Sequence, residues 1–250
     1  AAIVGLPILT ADGTISAAAL IQDRKVLRYI GKKYITARRE MGFLVPSKGY
    51  EYATIKGHKC AIIVGDDLSR ERDFDQSVET VISINARKYG KGTMTYRYEM
   101  MRNLAFVESK NLVLVNQVGG STDIVYDGTS GALNSRGELV LMMKNFEEDF
   151  QIFDTKASAR PISIPSTYND RTRLVYEAAR CGLRDFFRKN GYRKASIGLS
   201  GGIDSAVVAS IAADALGAEN VRALLMPSPF SSLESVEDAK ELARNLGIEY

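Results

Sequence analysis

One histidine, two cysteines and a net charge of only +3 across 250 residues remove several kinds of protein from consideration. His58 alone cannot build a zinc site of several His and Cys ligands, and a Ser-His-Asp triad would have to run through it. Cys60 and Cys181 are too few for a disulfide framework, so a reducing cytoplasm is the expected compartment. The charge is too slight and too evenly spread to argue for nucleic acid or a membrane surface as partner. No apolar run reaches membrane-spanning length, and the N-terminus lacks the pattern of a signal peptide. The G-x-x-x-x-G-K-[ST] phosphate loop and the G-x-G-x-x-G dinucleotide fingerprint are both missing. What remains has a globular composition, 45% hydrophobic and 25% charged, and room for one large domain or two ordinary ones. The chain opens inside the apolar stretch Ala1–Leu9 without a methionine and stops at Gly247–Tyr250, where a further strand is due. An internal piece of a longer protein is therefore expected.

The segment that carries most chemistry is Ser200-Gly201-Gly202-Ile203-Asp204-Ser205. It follows the apolar run Ala195–Leu199 and precedes the apolar stretch Ala206–Leu216, closed by Gly217. That order predicts strand, glycine turn, helix. Backbone N–H groups at the start of a helix, with no side chain in the way, form an anion site, and phosphate is its usual guest. Ser200 and Ser205 add hydroxyls. Asp204 would repel phosphate unless a cation such as Mg²⁺ lies between them. An ordinary glycine turn would need neither the serines nor the aspartate.

Around this loop the chain predicts two regions. Residues 1–30 read as strands joined by turns at Ala11-Asp12-Gly13 and Gln22-Asp23-Arg24. Cys60–Val64, Val81–Asn85 and Leu112–Asn116 read as further strands, Thr93–Ser109 as a helix, and Asn134–Gly137 as a hairpin turn leading into Glu138–Met142. Thr155–Tyr168, with Pro161, Pro165 and three serines, reads as a linker. Beyond it come an amphipathic helix ending at Asn190-Gly191, the loop, a strand at Val221–Met226 and a helix at Glu234–Leu246. Alternating strands and helices imply a doubly wound parallel sheet with its ligand at the carboxyl ends of the strands.

S-G-G-x-D-S resembles the pyrophosphate loop of the ATP pyrophosphatases. With Arg184–Gly191, Asp214–Gly217, Met226-Pro227-Ser228, Ser231-Ser232 and Ser235–Ala239, it is similar to the synthetase domain of the glutamine-dependent NAD synthetase family. One departure is Pro229, where many members carry arginine. Asn116–Gly120 and Asp123–Ser130 look like the late strands of a nitrilase-type amidase, the fold that serves as glutaminase in that family. The resemblance implies an α/β protein. A nitrilase-like α/β/β/α sandwich would span 1–154, a linker 155–168, and part of a doubly wound ATP-pyrophosphatase domain 169–250. It implies a ligase that uses ATP and Mg²⁺ to adenylate deamido-NAD and amidate it with ammonia, giving NAD, AMP and pyrophosphate. Gly198, Ser200, Gly201, Gly202, Ile203, Asp204 and Ser205 would hold the nucleotide, with Asp204 on the metal. A cytoplasmic homo-oligomer is expected.

For the glutaminase half the same resemblance is uneven. Lys32 matches the family lysine that stabilises an oxyanion, although Thr36–Pro46 is shorter than usual. The general-base glutamate would lie before residue 1. The nucleophile position holds Gly65, where the family has cysteine, so this half as it stands cannot form a thioester. Lys32 has a second reading as a solvated lysine at a strand end. Cys60 reads as a buried, inert thiol rather than a displaced nucleophile, and Cys181 as core. His58 reads as an exposed turn residue, Asp66 and Asp67 as caps of the following turn, and Glu147-Glu148-Asp149 as a solvated face. Two alternatives remain: an ammonia-only ligase with a degenerate nitrilase scaffold, and a non-catalytic nucleotide-binding protein.

Overall fold

The computed structural model describes residues 1–38, 40–152, 154–155, 160–168, 170–229 and 232–250. Ser231 of the sequence motif, Asn169 and part of the expected linker lie outside them. The chain forms two compact units, one of 1–118 with 126–165, the other of 119–125 with 166–250.

In the first unit β1 (Ala2–Thr10), β2 (Gly13–Gln22) and β3 (Lys25–Gly31) form an antiparallel meander. A six-stranded sheet contains β4 (Glu51–Ile55), β5 (His58–Val64), β6 (Thr80–Asn85) and β7 (Asn111–Asn116). A separate hairpin pairs β8 (Val118–Ser121) with β9 (Ile124–Asp127). The sheet is completed by β10 (Gly131–Leu133) and β11 (Leu139–Met142), in the order β11-β10-β7-β6-β5-β4. Strands β5, β6 and β7 are parallel, and α1 (Thr93–Glu108) makes the crossover from β6 to β7.

Alternation along β5 builds the layers. Ala61 and Ile63 face a core with Met101, Leu104 and Ala105 of α1, whereas Ile62 and Val64 face one with Ala18, Leu20 and Ile30 of the meander. Helix, large sheet and meander are thereby stacked. A fully buried ion pair, Arg97 to Asp127 at 2.8 Å, ties α1 to the end of β9. Asp127 also accepts from the Asn116 amide at 3.0 Å.

The second unit contains α2 (Arg171–Asn190), β12 (Ala195–Gly198), α3 (Ile203–Leu216), β13 (Val221–Leu224) and α4 (Leu233–Leu246). Asp170 caps α2 by accepting the Arg173 N–H at 3.0 Å, and Gly191 ends it at φ 72°. Strands β12 and β13 are parallel neighbours joined through α3. Leu199, Ala209, Ala212, Val221, Ala223, Ala239 and Ala243 form the core, so small residues let α3 and α4 lie close to the strands. The Ala223 N–H donates to the Glu249 carbonyl at 2.7 Å, which sets the chain at residue 249 alongside β13.

Candidate functional site

The glycine loop sits where strand β12 delivers it, immediately before α3. Gly202 occupies the N-cap position without a side-chain cap, so the first-turn N–H groups of α3 are left open. Gly201 has φ +82°, and a Cβ there would lie 2.8 Å from the Ser235 carbonyl carbon and overlap its oxygen. Glycine is demanded at 201 by backbone geometry and by the approach of α4. At Gly202 an added Cβ meets only the Ser200 Oγ, at 3.4 Å.

The two serines behave differently from the expectation of free hydroxyl donors. Ser205 donates its hydroxyl to the Gly202 carbonyl at 2.9 Å and accepts the Ser200 N–H at 3.2 Å. Ser200 Oγ accepts the Gly202 N–H at 3.3 Å. Their hydroxyls brace the loop, and offering them to a ligand requires turning them outward. Beside the loop a cavity of about 370 Å³ is lined by Ser200, Met226, Ser232 and Ser235, among others. Gly198 stands at the end of β12, with Met226 across from it.

Asp204 is exposed in the first turn of α3 and forms no ion pair with a described residue. Among the described residues no group of three or more His, Cys, Asp and Glu could hold a metal. Mg²⁺ keeps several waters and needs only one or two carboxylates when phosphates supply other ligands. A single open carboxylate beside the uncapped first turn of a helix fits that chemistry, and a protein-only metal cage does not.

The first unit holds a second candidate site, a cavity of about 640 Å³ whose lining includes Lys32, Glu40, Gly65, Asp66, Arg87 and Asn116. Lys32 and Gly65 are brought together: a Cβ on Gly65 would lie 3.3 Å from Lys32 Cε and 3.5 Å from its Nζ. The reading of Lys32 as a solvated lysine is overturned, because it is only 4% exposed. Its ammonium donates to Glu40 at 2.7 Å and lies 3.6 Å from Asp66, which Arg87 holds at 2.9 Å. Two cations and two carboxylates leave the cavity charge-balanced.

The capping role expected of Asp66 and Asp67 is also corrected. The 3-10 turn at Gly65–Ser69 has no side-chain cap. Asp67, fully buried, instead accepts the N–H groups of Lys33 and Tyr34 at 2.6 and 2.9 Å. Burial pushes its carboxyl above the usual range, against the pull of these donors. It therefore fixes the segment that carries Lys32.

Cys60 lies within β5, buried at 5% exposure and absent from the cavity lining, and burial pushes its thiol up. Cys181 is buried in α2, its thiol likewise raised by burial. His58 opens β5 rather than a turn and faces Glu79 at 2.9 Å. Glu40 and Arg87 escaped the sequence reading: one follows Lys32 in a segment without periodicity, the other stands just past a strand end. Nothing in the chain's spacing marks either.

Residues 175–250 match the family model for NAD synthase. A glutamine-dependent NAD(+) synthetase of Synechocystis sp. is 36% identical over 216 residues, covering 79% of this chain and 39% of that protein. The structure of a glutamine-dependent NAD+ synthetase from Acinetobacter baumannii, in complex with adenosine diphosphate, superposes with a TM-score of 0.84 at 31% identity, over 99% of this chain and 49% of that one. A carbon-nitrogen hydrolase from Helicobacter pylori shares the fold over 58% of this chain and 59% of its own, with a TM-score of 0.51 and 18% identity. The chain spans between 39% and 48% of the length of the first curated relatives it matches.

Proposed function

The chain belongs to the glutamine-dependent NAD synthetase family, and on that footing we propose that it takes part in amidating deamido-NAD to NAD at the expense of ATP. A carboxylate is a poor electrophile with a poor leaving group. Transfer of AMP to the nicotinate carboxylate, with release of pyrophosphate, remedies both, and ammonia then displaces AMP. The contribution of these residues is positional and electrostatic. The open N–H groups at the start of α3, with Gly198, Ser200, Gly201, Gly202, Ile203 and Ser205, cradle the phosphates. Asp204 would hold a Mg²⁺, which when bound would neutralise phosphate charge. The observation that carries this reading is the uncapped first turn of α3 after a parallel strand, inside the stretch matched by the family model.

We further propose that residues 1–154 supply the glutaminase-type domain, 155–168 the linker and 169–250 the synthetase part, and that Lys32 and Gly65 mark the amidase centre. With glycine at the nucleophile position, ammonia and not glutamine is the nitrogen donor this chain supports. The same proposal places the chain in the cytoplasm, where unpaired thiols such as Cys60 and Cys181 stay reduced, and takes it to be a homo-oligomer. The test is product formation from ATP and deamido-NAD, with ammonia or glutamine, in the protein that contains this chain. NAD from ammonia alone is expected, with glutamate release absent. Asp204→Asn should lower pyrophosphate release by about 10²–10³, the scale for losing a preorganised electrostatic element. Wild-type turnover in that variant would remove Asp204 from the metal site.

A further inference from the structure

Gly119 and Gly120, at the end of the motif Asn116–Gly120, and Arg184-Asp185 on α2 line neither the loop cavity nor the cavity around Lys32. The structure brings them together. The segment Gly119–Val125 packs as part of the second unit. Asp185, 2% exposed, accepts the Gly120 N–H at 2.7 Å. One turn further along α2, the Lys189 ammonium donates to the Gly120 carbonyl. Both backbone polar groups of one residue are thus held by side chains spaced i, i+4 on a single helix face, in place of a neighbouring strand. Arg184 and Arg188 flank the carboxylate at 3.3 and 3.4 Å.

The approach is possible only without side chains. A Cβ on Gly119, itself at φ +107°, would lie 2.6 Å from Asp185 Oδ2. One on Gly120 would lie 3.0 Å from Gly182 Cα, and one on Gly182 would lie 3.0 Å from Val125 Cγ2. From this junction α2 reaches the nucleotide loop by direct packing. Leu183 packs against the core that contains Leu199 and Ala209, and the Tyr176 hydroxyl donates to Asp214 of α3. Leu199 immediately precedes Ser200.

We propose that Asp185 is a positioning residue of the nucleotide site: acting through Gly120, it sets α2 and thereby holds the loop Ser200–Ser205 in its binding conformation. The proposal deepens the reading of that loop as the phosphate site and rests on it. An anchor that merely stabilises its surroundings restrains the hairpin and α2 alone, whereas a positioning anchor also restrains the loop.

The experiment compares the 250-residue chain with Asp185→Ala, Asp185→Asn and Gly120→Ala. It reads amide hydrogen exchange residue by residue, and ATP binding by calorimetry with Mg²⁺. Asp185→Ala should speed exchange of the loop amides about tenfold, the scale of one lost charge-assisted hydrogen bond, and weaken ATP binding in parallel. Asp185→Asn retains an oxygen for the Gly120 N–H and should recover most of both. Gly120→Ala should reproduce the alanine result from the other side of the contact, so the comparison survives if Asp185→Ala does not fold. Loop exchange unchanged in the folded variants, with acceleration confined to α2 and the hairpin, would overturn the proposal. ATP binding by the unaltered chain is a separate reading. Its absence contradicts the function assigned to the loop, while the exchange data still decide whether Asp185 holds it.

Discussion

Gly65 and Gly201 both have left-handed backbones, at φ +62° and +82°, and both stand at the centre of a candidate site, yet their surroundings differ in kind. A side chain started at Gly65 meets the far end of Lys32, a flexible chain that can give way. One started at Gly201 meets the backbone of α4, which cannot. The second glycine is required by the fold around it; the first occupies a place where a side chain could be accommodated. The first unit therefore keeps room and charged neighbours, Lys32 and Asp66 among them, around a glycine that a side chain could replace, while the second keeps a loop in which Gly201 is fixed by its surroundings.

The sharpest way to break the comparison is Gly201→Val. Left-handed strain and collision with Ser235 together should cost on the order of 3 kcal/mol or more and abolish ATP binding. Urea unfolding and calorimetry read both. A stable, ATP-binding variant would mean that α4 yields where the geometry says it does not. Gly65→Cys should cost only about 1–2 kcal/mol, the penalty of a left-handed residue. Its thiol would start beside the Lys32 ammonium, which favours thiolate. Glutamate release should appear only when the family's upstream glutamate is also present, since an unassisted thiol is a few per cent thiolate near neutral pH. Hydrolysis by the unaltered chain that vanishes in Cys60→Ser would relocate the centre altogether.

A subtler variant separates loop strain from ligand approach. At Gly202 φ is −87°, and an added methyl finds ordinary contact, so Gly202→Ala should change stability by less than about 1 kcal/mol. A fall of about tenfold in ATP affinity would then report phosphate approaching that backbone, and unchanged affinity would place the phosphates elsewhere. The smallest effect concerns acid. Burial opposes the charge on Asp185, but the Gly120 N–H and the Arg184 and Arg188 guanidiniums outweigh it and hold its carboxyl below the usual range. Its contribution to stability is therefore full above the ordinary carboxylate range and lost as pH falls through the lowered folded value. The pH dependence of unfolding should flatten in Asp185→Asn.

Much of this architecture was legible because its signals are local. The turn between Leu199 and Ile203, the helix stops at Gly191, Gly217 and Gly247, and the continuous apolar run Cys60–Val64 of β5 can each be read from a few adjacent residues. The strand Glu51–Ile55 was not, since Glu51, Tyr52 and Thr54 dilute its apolar pattern and its place beside β5 depends on tertiary pairing. The errors at the candidate sites share that cause. Asp67 was expected to cap its own turn, but its partners are the N–H groups of residues 33 and 34. Lys32 could pass for solvated because Glu40 and Asp66, which enclose it, are brought near only by folding. The demand for glycine at 201 comes from Ser235, which no spacing within the loop reveals.

The detour of Gly119–Val125 into the second unit also has a consequence in time. During synthesis this hairpin leaves the ribosome well before the helix that grips it, since Gly120 and Asp185 are 65 residues apart. At bacterial and eukaryotic elongation speeds that is a delay of roughly 3 to 13 s, long compared with hairpin formation, which takes microseconds. Through that interval a strand end with two bare glycines has no helix to cover it, while the chain on either side can already pair into the large sheet. A nascent chain stalled between residues 130 and 185 would be left with this edge uncovered, and the same holds for any truncated product that ends before α2.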